Sequence, residues 1–309
     1  MTAPFCAPSA GARPGALAPP LRRVLDRIGA RGEALALDEL ARQLLALRAP
    51  PRPELARRLV ASALGLAPAA LPEPLDPRLL PRLAAGPAAE LALDAVEWIV
   101  VDLETTGLSH EACTILEIGA VRVAGGRLTA RFQTLVDPGV PIPPRITALT
   151  GIDRSLVDGA PRLPAAMRAF HAWVGAGGAP VPFVAHNAGF DERFVRRALA
   201  EVGLPEWSGP VVCTRKLARR LLPELRRYDL DSLCAQFGVA NRARHRALGD
   251  AEATGRALVE LLAIARAEHA LATLGDLLAL QARPAPPRRR RARAPEAAAG
   301  APPAADGAS

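Results

Sequence analysis

The sequence is short of lysine, cysteine, aromatic residues and long apolar runs, and these shortages narrow the possible functions. Lys216 is the only lysine among 39 basic residues, and aromatic residues make up 4% of the chain. The near absence of lysine, together with the high content of alanine and proline, indicates the compositional bias of a GC-rich genome. Residue type alone therefore says little about function. The four cysteines lie far apart without a CxxC pair, which argues against a zinc site or a disulfide framework and fits a reducing cytosol.

Membrane and secretory functions are not expected. No uninterrupted apolar run reaches the length that spans a bilayer. The N-terminus has no basic segment followed by an apolar one, so no secretory signal is evident. We therefore expect a soluble, cytoplasmic protein without a membrane partner.

Positive charge is concentrated toward the two ends of the chain. Residues 283–309 carry six arginines and two acids, and residues 1–94 carry twelve arginines and nine acids. Residues 95–282 are nearly neutral, with 21 basic and 20 acidic residues. A basic tail can attract nucleic acid by counterion release, and it can equally be a solvated arm.

Composition and periodicity divide the chain into six segments. They are a disordered leader (1–19), a small helical module (20–66), a Pro-rich linker (67–94), a central domain (95–268), a helical extension (269–282) and a disordered basic tail (283–309). Three apolar faces at helical spacing predict the helices of the module: Leu21, Val24, Leu25 and Ile28; Leu37, Leu40, Ala41 and Leu44; Leu55, Leu59 and Ala63. No residue of the module suggests chemistry.

The central domain is predicted to have an α/β fold. Apolar runs predict five strands, at 98–101, 115–123, 128–136, 181–185 and 211–212. The first three form a meander, and the later strands alternate with helices predicted at 165–174, 191–202, 214–222, 230–237 and 248–267. This order implies a mixed sheet covered by helices.

The first candidate site segment lies at the end of the first strand. Asp102 and Glu104 are two residues apart, so they project from the same side of the strand. Two adjacent carboxylates repel each other unless a cation lies between them, and such hard oxygen ligands suit Mg²⁺ or Mn²⁺. The alternative is a pair of acids at a solvent-exposed strand end.

Two further segments carry acids at the beginning of helices. Asp191 follows His186 and Asn187 and lies in the first turn of a predicted helix, where an acid is also favourable simply because of the helix dipole. Asn187 can hold a ligand group or cap that helix. His245 precedes the last long helix and Asp250 lies in its first turn.

These segments, taken in order, resemble the motifs of a known family. The sequence has DLETTG at 102–107, HNAGFDERF at 186–194 and HRALGD at 245–250, matching the patterns DxETTG, HNAxFDxxF and HxAxxD. It therefore resembles the DEDDh (DnaQ-like) 3′→5′ exonucleases, which include the proofreading epsilon subunit of bacterial DNA polymerase III and ribonuclease T. The resemblance covers roughly residues 98–267. Arg246 stands where the sister class has tyrosine, and His245 stands five residues before Asp250, as in the h-type.

The resemblance implies a fold and a set of residue roles. The fold would be a ribonuclease H-like mixed five-stranded sheet flanked by helices. Two Mg²⁺ (or Mn²⁺) ions would be bound by Asp102, Glu104, Asp250 and, to complete the cluster, Asp191. His245 would take the proton of the attacking water. The terminal nucleotide would be held by Thr105, Thr106, Gly107 and Asn187.

The implied function is removal of 5′-mononucleotides from DNA 3′ ends, single-stranded or frayed, in proofreading or repair. A DNA polymerase or repair partner would be contacted through the N-terminal helices or the C-terminal tail. The motifs leave an RNA substrate open, as in ribonuclease T or oligoribonuclease. A catalytically inactive adaptor that only binds nucleic acid is the third reading, and the intact set of five site residues argues against it.

Overall fold

The computed structural model describes residues 36–64, 71, 86–175 and 181–284. The predicted leader, the first predicted helix of the N-terminal module and the basic tail beyond residue 284 lie outside these residues. Among the described residues, no helix is long and apolar enough to cross a membrane.

A single five-stranded sheet organises the central domain, in the strand order β3-β2-β1-β4-β5. The strands are β1 (Trp98–Thr105), β2 (Ile115–Ala124), β3 (Arg127–Leu135), β4 (Phe183–Ala185) and β5 (Val211–Cys213). β1 pairs antiparallel with β2 and parallel with β4, β2 pairs antiparallel with β3, and β4 pairs parallel with β5. The predicted mixed, ribonuclease H-like α/β sheet is confirmed.

Helices precede the sheet and cover it. The two described N-terminal helices are α1 (Leu37–Leu44) and α2 (Pro53–Leu64). Those of the domain and its C-terminal side are α3 (Pro144–Thr150), α4 (Arg154–Val157), α5 (Leu163–Gly175), α6 (Asp191–Val202), α7 (Thr214–Leu221), α8 (Leu230–Phe237), α9 (Ala247–His269) and α10 (Leu274–Ala282). The two short helices α3 and α4 were not predicted from the sequence.

The alternation of β1 sends its side chains into two separate apolar clusters. Val100 packs on the side covered by α7, α9 and α10. Ile99, Val101 and Leu103 pack on the side covered by α5 and α6. Because side chains alternate along a strand, the even-numbered positions that follow Val100 continue the α9 side of the sheet.

The predicted apolar face of α2 is wrong by one residue. We expected Leu55 to be buried, but it is 48% exposed. The buried positions are instead Ala56, Val60, Ala61 and Leu64. Apolar residues occupy two adjacent rows of this helix, so periodicity allows either face, and packing against α1 selects the second.

The predicted linker at 67–94 ends earlier than expected. Residues 86–90 and 93–95 form two turns of 3₁₀-helix, and the side chains of Ala89 and Leu93 are buried. The Leu93 amide donates to the Ala272 carbonyl at 3.0 Å, and the Leu274 amide donates to the Leu91 carbonyl at 3.0 Å. Both this segment and α10, predicted as an extension, contribute side chains to the same apolar cluster as Val100.

Candidate active site

Strand β1 carries the first two candidate acids into the site. Asp102 lies opposite Gly119 and Glu104 opposite Glu117 in the β1–β2 ladder. Both acids are half-buried, and the intervening Leu103 points into the opposite cluster. The expectation that the two carboxylates share one side of the strand therefore agrees with the structure.

Helix α6 contributes the third acid at its first residue. Asp191 is 3% exposed, although it is ionisable. Burial raises the pKa of its carboxyl to about 8, with backbone hydrogen bonds from its own amide and that of Leu103 opposing the shift and the charge of Glu104 adding to it. The predicted position in the first helical turn is observed, and the interaction with Leu103 joins α6 to β1.

The junction before α9 contributes the histidine and the fourth acid. Asp250 accepts a hydrogen bond from the backbone amide of His245 at 3.0 Å, and its other oxygen accepts one from the Asn241 side chain. His245 has a left-handed backbone, with φ of 58°. One ligand atom each of Glu104, His245 and Asp250 lie within 4.8 Å of one another.

Electrostatic interaction extends this cluster to Asp102 and Asp191. Burial raises the pKa of Asp102 well above its usual range, and the charges of Asp191, Asp250 and Glu104 raise it further. Burial is also the main reason why the pKa of Glu104 is raised to about 7. The charges of Asp250 and Glu117 raise it further, and the charge of Arg246 lowers it. The four acids and His245 therefore lie near one another.

The four carboxylates of the site have the chemistry of a divalent-cation centre. Burial raises the pKa of Asp250 too, with hydrogen bonds from Asn241 and His245 opposing the shift. Buried acids that raise one another's pKa repel when they are ionised, and cations with hard oxygen preference relieve that repulsion. The donor set therefore fits ions such as Mg²⁺ or Mn²⁺.

The loop that follows β1 is held by its own hydrogen bonds. The Thr105 hydroxyl donates to the Gly107 carbonyl at 2.7 Å, and the Thr106 hydroxyl accepts from the Thr114 amide at 3.0 Å. A Cβ on Gly107 would lie 2.8 Å from the Cys113 sulfur, so glycine allows the close approach. Both threonines are 7% exposed, which leaves mainly the backbone of the loop for contacts with a ligand.

The segment before Asp191 holds one exposed and one half-buried polar side chain. Asn187 is exposed and has a left-handed backbone, with φ of 74°. His186 bonds through Nε2 to the Tyr228 carbonyl at 2.9 Å and through Nδ1 to the Thr214 hydroxyl at 3.0 Å. Burial lowers the pKa of His186 to about 4, so it is a neutral structural link between β4 and α7.

Sequence reasoning missed three residues that support the site. Glu117 and Arg246 form an ion pair at 2.9 Å beneath the junction before α9, and Asn241 holds Asp250. Glu117 has a sequence signal, because it is a lone charge in the apolar run of residues 115–121. Asn241 has none, because its contact depends on how a loop folds back.

Comparison with known proteins places residues 99–258 in the family described as exonuclease. DNA polymerase III PolC-type of Halalkalibacterium halodurans is 39% identical over 170 residues, which cover 55% of this chain and 12% of that protein. A Mycobacterium tuberculosis protein named as a bifunctional exonuclease/endonuclease is 43% identical over 177 residues, covering 54% of this chain and 27% of that protein. The chain thus spans only a minor part of these relatives.

Solved structures give matches of similar extent. Exonuclease X in complex with 5′ overhanging duplex DNA is 30% identical, with a TM-score of 0.46, covering 59% of this chain and 99% of that one. Exonuclease I of E. coli in complex with a dT13 oligonucleotide is 15% identical, with a TM-score of 0.49, covering 57% of this chain and 42% of that one. The match to the family model spans more than half of the 309 residues. The chain belongs to the exonuclease family, in agreement with the DEDDh resemblance of its motifs, and its central domain is a nuclease hydrolase domain.

Proposed function

We propose that the chain is a 3′→5′ exonuclease that hydrolyses phosphodiester bonds at the 3′ end of DNA and releases 5′-mononucleotides, in proofreading or repair. The observation that carries the proposal is the convergence of four carboxylates and an imidazole, from β1, α6 and the start of α9, near the C-terminal end of the central strand β1. Membership of the exonuclease family supports the reaction class. The DNA polymerase III relatives favour DNA over RNA.

Two divalent cations would be the cofactors. Asp102, Glu104 and Asp250 would hold them directly, and Asp191 would complete the site. Four ionised carboxylates balance the charge of two such ions, which fits a nearly neutral domain that handles an anionic substrate. When bound, a pair of these ions activates water and stabilises charge on the phosphorus and on the leaving oxygen.

His245 would act as the general base. Its ring lies beside the ligand oxygens of Glu104 and Asp250, where the attacking water would be bound. Imidazole is the side chain that exchanges protons near neutral pH, so it can take the proton of that water. The bond from its backbone amide to Asp250 keeps the base and the acid in one unit.

The loop after β1 would restrict action to chain ends. Thr105, Thr106 and Gly107 form a rigid turn whose backbone would surround the terminal nucleotide and its free 3′ hydroxyl. The exposed Asn187 side chain would supply a second contact. A strand end would fit such a pocket, whereas a continuing chain would have no exit from it.

A substrate panel tests the proposal. The full chain would be mixed with 5′-labelled single-stranded DNA, single-stranded RNA and a duplex with a mismatched 3′ end, in Mg²⁺, Mn²⁺ or EDTA. We expect a ladder that shortens from the 3′ end of DNA in either metal and no products in EDTA. Immediate release of a labelled mononucleotide would show the opposite polarity. Faster digestion of RNA would move the substrate class to RNA.

An inactive wild-type chain would favour the hypothesis of an adaptor that binds nucleic acid without hydrolysing it. If no nucleic acid is shortened in Mg²⁺ or Mn²⁺ while binding of the same oligonucleotides is detected, the hydrolytic proposal is wrong. Asp102→Asn serves as the matched negative control, because it keeps the shape of the side chain and removes its charge. Activity equal to wild type in that variant would show a contaminating nuclease or a metal-independent site.

We further propose that the N-terminal helices or the C-terminal tail contact a DNA polymerase, a repair protein or the DNA itself. The six arginines of residues 283–309 would contribute counterion release. Removal of residues 283–309 should make the logarithm of the DNA binding constant depend less steeply on the logarithm of the salt concentration. An unchanged slope would exclude the tail as a DNA contact.

A further inference from the structure

Glu117 is a fully buried carboxylate that the proposed metal set does not use. It is 0% exposed and lies opposite Glu104 in the ladder between β1 and β2. Its neighbours along the strand are apolar and buried, so desolvation makes an acid costly at this position unless it is paired. A buried charge beside the site therefore calls for a physical explanation.

Four donors satisfy the Glu117 carboxylate. Oε1 accepts from Gln133 Nε2 at 2.6 Å and from Arg246 Nη2 at 2.9 Å. Oε2 accepts from Arg246 Nε and from the Ala247 amide, both at 3.0 Å. A carboxylate has about four lone-pair sites, so these contacts leave none for a metal ion. Two parallel hydrogen bonds between arginine and a carboxylate also fix the relative orientation of the two groups more strictly than a single bond does.

These donors fix the junction that carries the catalytic end of α9. Arg246 directly follows His245, and Ala247 is the first residue of the helix. The Arg246 side chain makes no capping bond of its own, so the buried Glu117 takes the role of the helix cap from a neighbouring strand. His245, the residue before this pair's Arg246, has a left-handed backbone, which is uncommon outside glycine.

A second feature of β2 shows how closely the junction lies on the sheet. A Cβ on Gly119 would be 2.1 Å from the carbonyl carbon of Ala247 and 2.2 Å from the Leu248 amide. Gly119 and Glu117 are two residues apart on the same side of the strand. One therefore provides the space for the junction, and the other provides the bonds that hold it there.

We propose that Glu117 is a positioning residue which, clamped by Arg246, holds His245 and Asp250 in register with Asp102 and Glu104. This inference rests on the proposed function of the site. Glu117 would touch neither the substrate nor the ions. Its contribution would be to keep the helix half of the site from moving relative to the strand half.

The test compares Glu117→Gln, Arg246→Gln and the double variant with wild type. Glutamine has one acceptor oxygen where glutamate has two, so Arg246 and Ala247 lose part of their bonding. We expect kcat on 5′-labelled single-stranded DNA to fall about 10–100-fold, as for other groups that orient metal ligands, with KM changed by less than about threefold. The double variant should lose no more than the worse single variant, because the two residues act as one unit.

Binding of Mn²⁺ alone, measured by calorimetry, gives a readout independent of turnover. Glu117→Gln should weaken Mn²⁺ binding several-fold without changing the number of ions bound. Loss of one ion would instead make Glu117 a ligand and overturn the proposal. A lower melting temperature with unchanged kcat per folded molecule would reduce Glu117 to a purely structural role, which also overturns it.

The ion pair between Arg131 and Glu252 provides a matched control, because it also joins the sheet to α9 but lies on the exposed side. Arg131→Gln should keep kcat within about twofold of wild type, as expected for an exposed pair. If Glu117→Gln does not fold, Arg246→Lys is the second variant, since it keeps the charge and loses the planar fork. Wild-type kcat in that variant would contradict the clamp.

The outcome is separable from that of the proposed function. A wild-type chain without metal-dependent exonuclease activity would contradict the proposed function itself. The wild type could instead be active, with Glu117→Gln and Arg246→Gln variants that match it in kcat and in Mn²⁺ affinity. That result would contradict only the positioning role of Glu117.

Discussion

The strand half and the helix half of the site are held in place by different forces. Asp102 and Glu104 belong to the central strand and lie in its ladder with β2, so backbone pairing positions them. His245 and Asp250 stand at a loop–helix junction and depend on side-chain contacts from Asn241 and from the ion pair beneath them. An acid that is positioned by backbone pairing keeps its place when neighbouring side chains are substituted. A group that is positioned by side-chain contacts loses its place when one contacting residue is replaced.

The largest effect should come from removing an acid from each half. Asp102→Asn and Asp250→Asn should each lower kcat by about a thousandfold or more, because each weakens binding of ions that contribute several kcal/mol to catalysis. Their metal-free stabilities should differ. Asp102→Asn should raise the melting temperature, since it removes a buried repelling charge. Asp250→Asn should lower it, since it loses an acceptor for His245 or Asn241.

Thermal unfolding in EDTA, followed by circular dichroism, measures this difference. If the melting temperatures of the two variants shift equally and in the same direction, the two halves of the site are held in place in the same way, and the difference described above is wrong.

The next effect should come from the loop contact to Asp250. Asn241→Ala removes the donor to one Asp250 oxygen and should lower activity about 10–100-fold, together with Mn²⁺ affinity. Asn187→Ala is the contrasting variant, because Asn187 is exposed and not bonded to an acid of the site. It should raise KM for the oligonucleotide and leave Mn²⁺ binding unchanged. The same Mn²⁺ affinity in both variants would contradict the role of Asn241.

A smaller effect is expected when a larger side chain is placed where β2 contacts the start of α9. Gly119→Ala places a methyl group against the backbone of residues 247 and 248, which should cost about 1–3 kcal/mol of unfolding free energy. Gly175→Ala is the matched control, because a Cβ there meets no atom of the described residues within 4 Å. Urea denaturation of both variants checks the prediction. An unchanged midpoint for Gly119→Ala would show that α9 does not rest on β2 as closely as the structure has it.

The smallest effect should be the pH dependence of the metal-free protein. Burial raises the pKa of Glu104 from 4.5 to about 7 and that of Asp191 from 3.8 to about 8, so the folded state keeps protons that the unfolded chain has released. Stability should therefore fall as pH rises from about 4.5 to 8, and no such fall is expected below the unfolded values. The change in melting temperature should be several degrees.

Mg²⁺ at pH 8 should restore most of that loss, because the ions bind the ionised acids of the folded state only. Scanning calorimetry between pH 5 and 8, with Mg²⁺ or EDTA, measures both effects. Asp191→Asn should flatten the profile in EDTA. A metal-free stability that rises with pH over this interval would contradict the repulsion among the acids.

Local patterns were sufficient where one element alone determines the outcome. Two-residue spacing on a strand places Asp102 and Glu104 on one side, and the predicted start of the helix at Asp191 is observed. Prediction failed where packing chooses between equivalent options. The face of α2 is one case, and the 3₁₀ turns at residues 86–95 are another, since alanine and proline there indicate a linker until the contacts with α10 are known.

The sequence alone determined which chemical groups the chain has for its reaction and their order along the chain, because alternation and helix periodicity are local properties of the backbone. The tertiary structure decided how those groups are held. The clamp of Glu117 on Arg246, the space at Gly119 and the bond of Asn241 to Asp250 join segments 9 to 129 residues apart. Contacts of this kind depend on distances across the folded chain, and no local pattern records them.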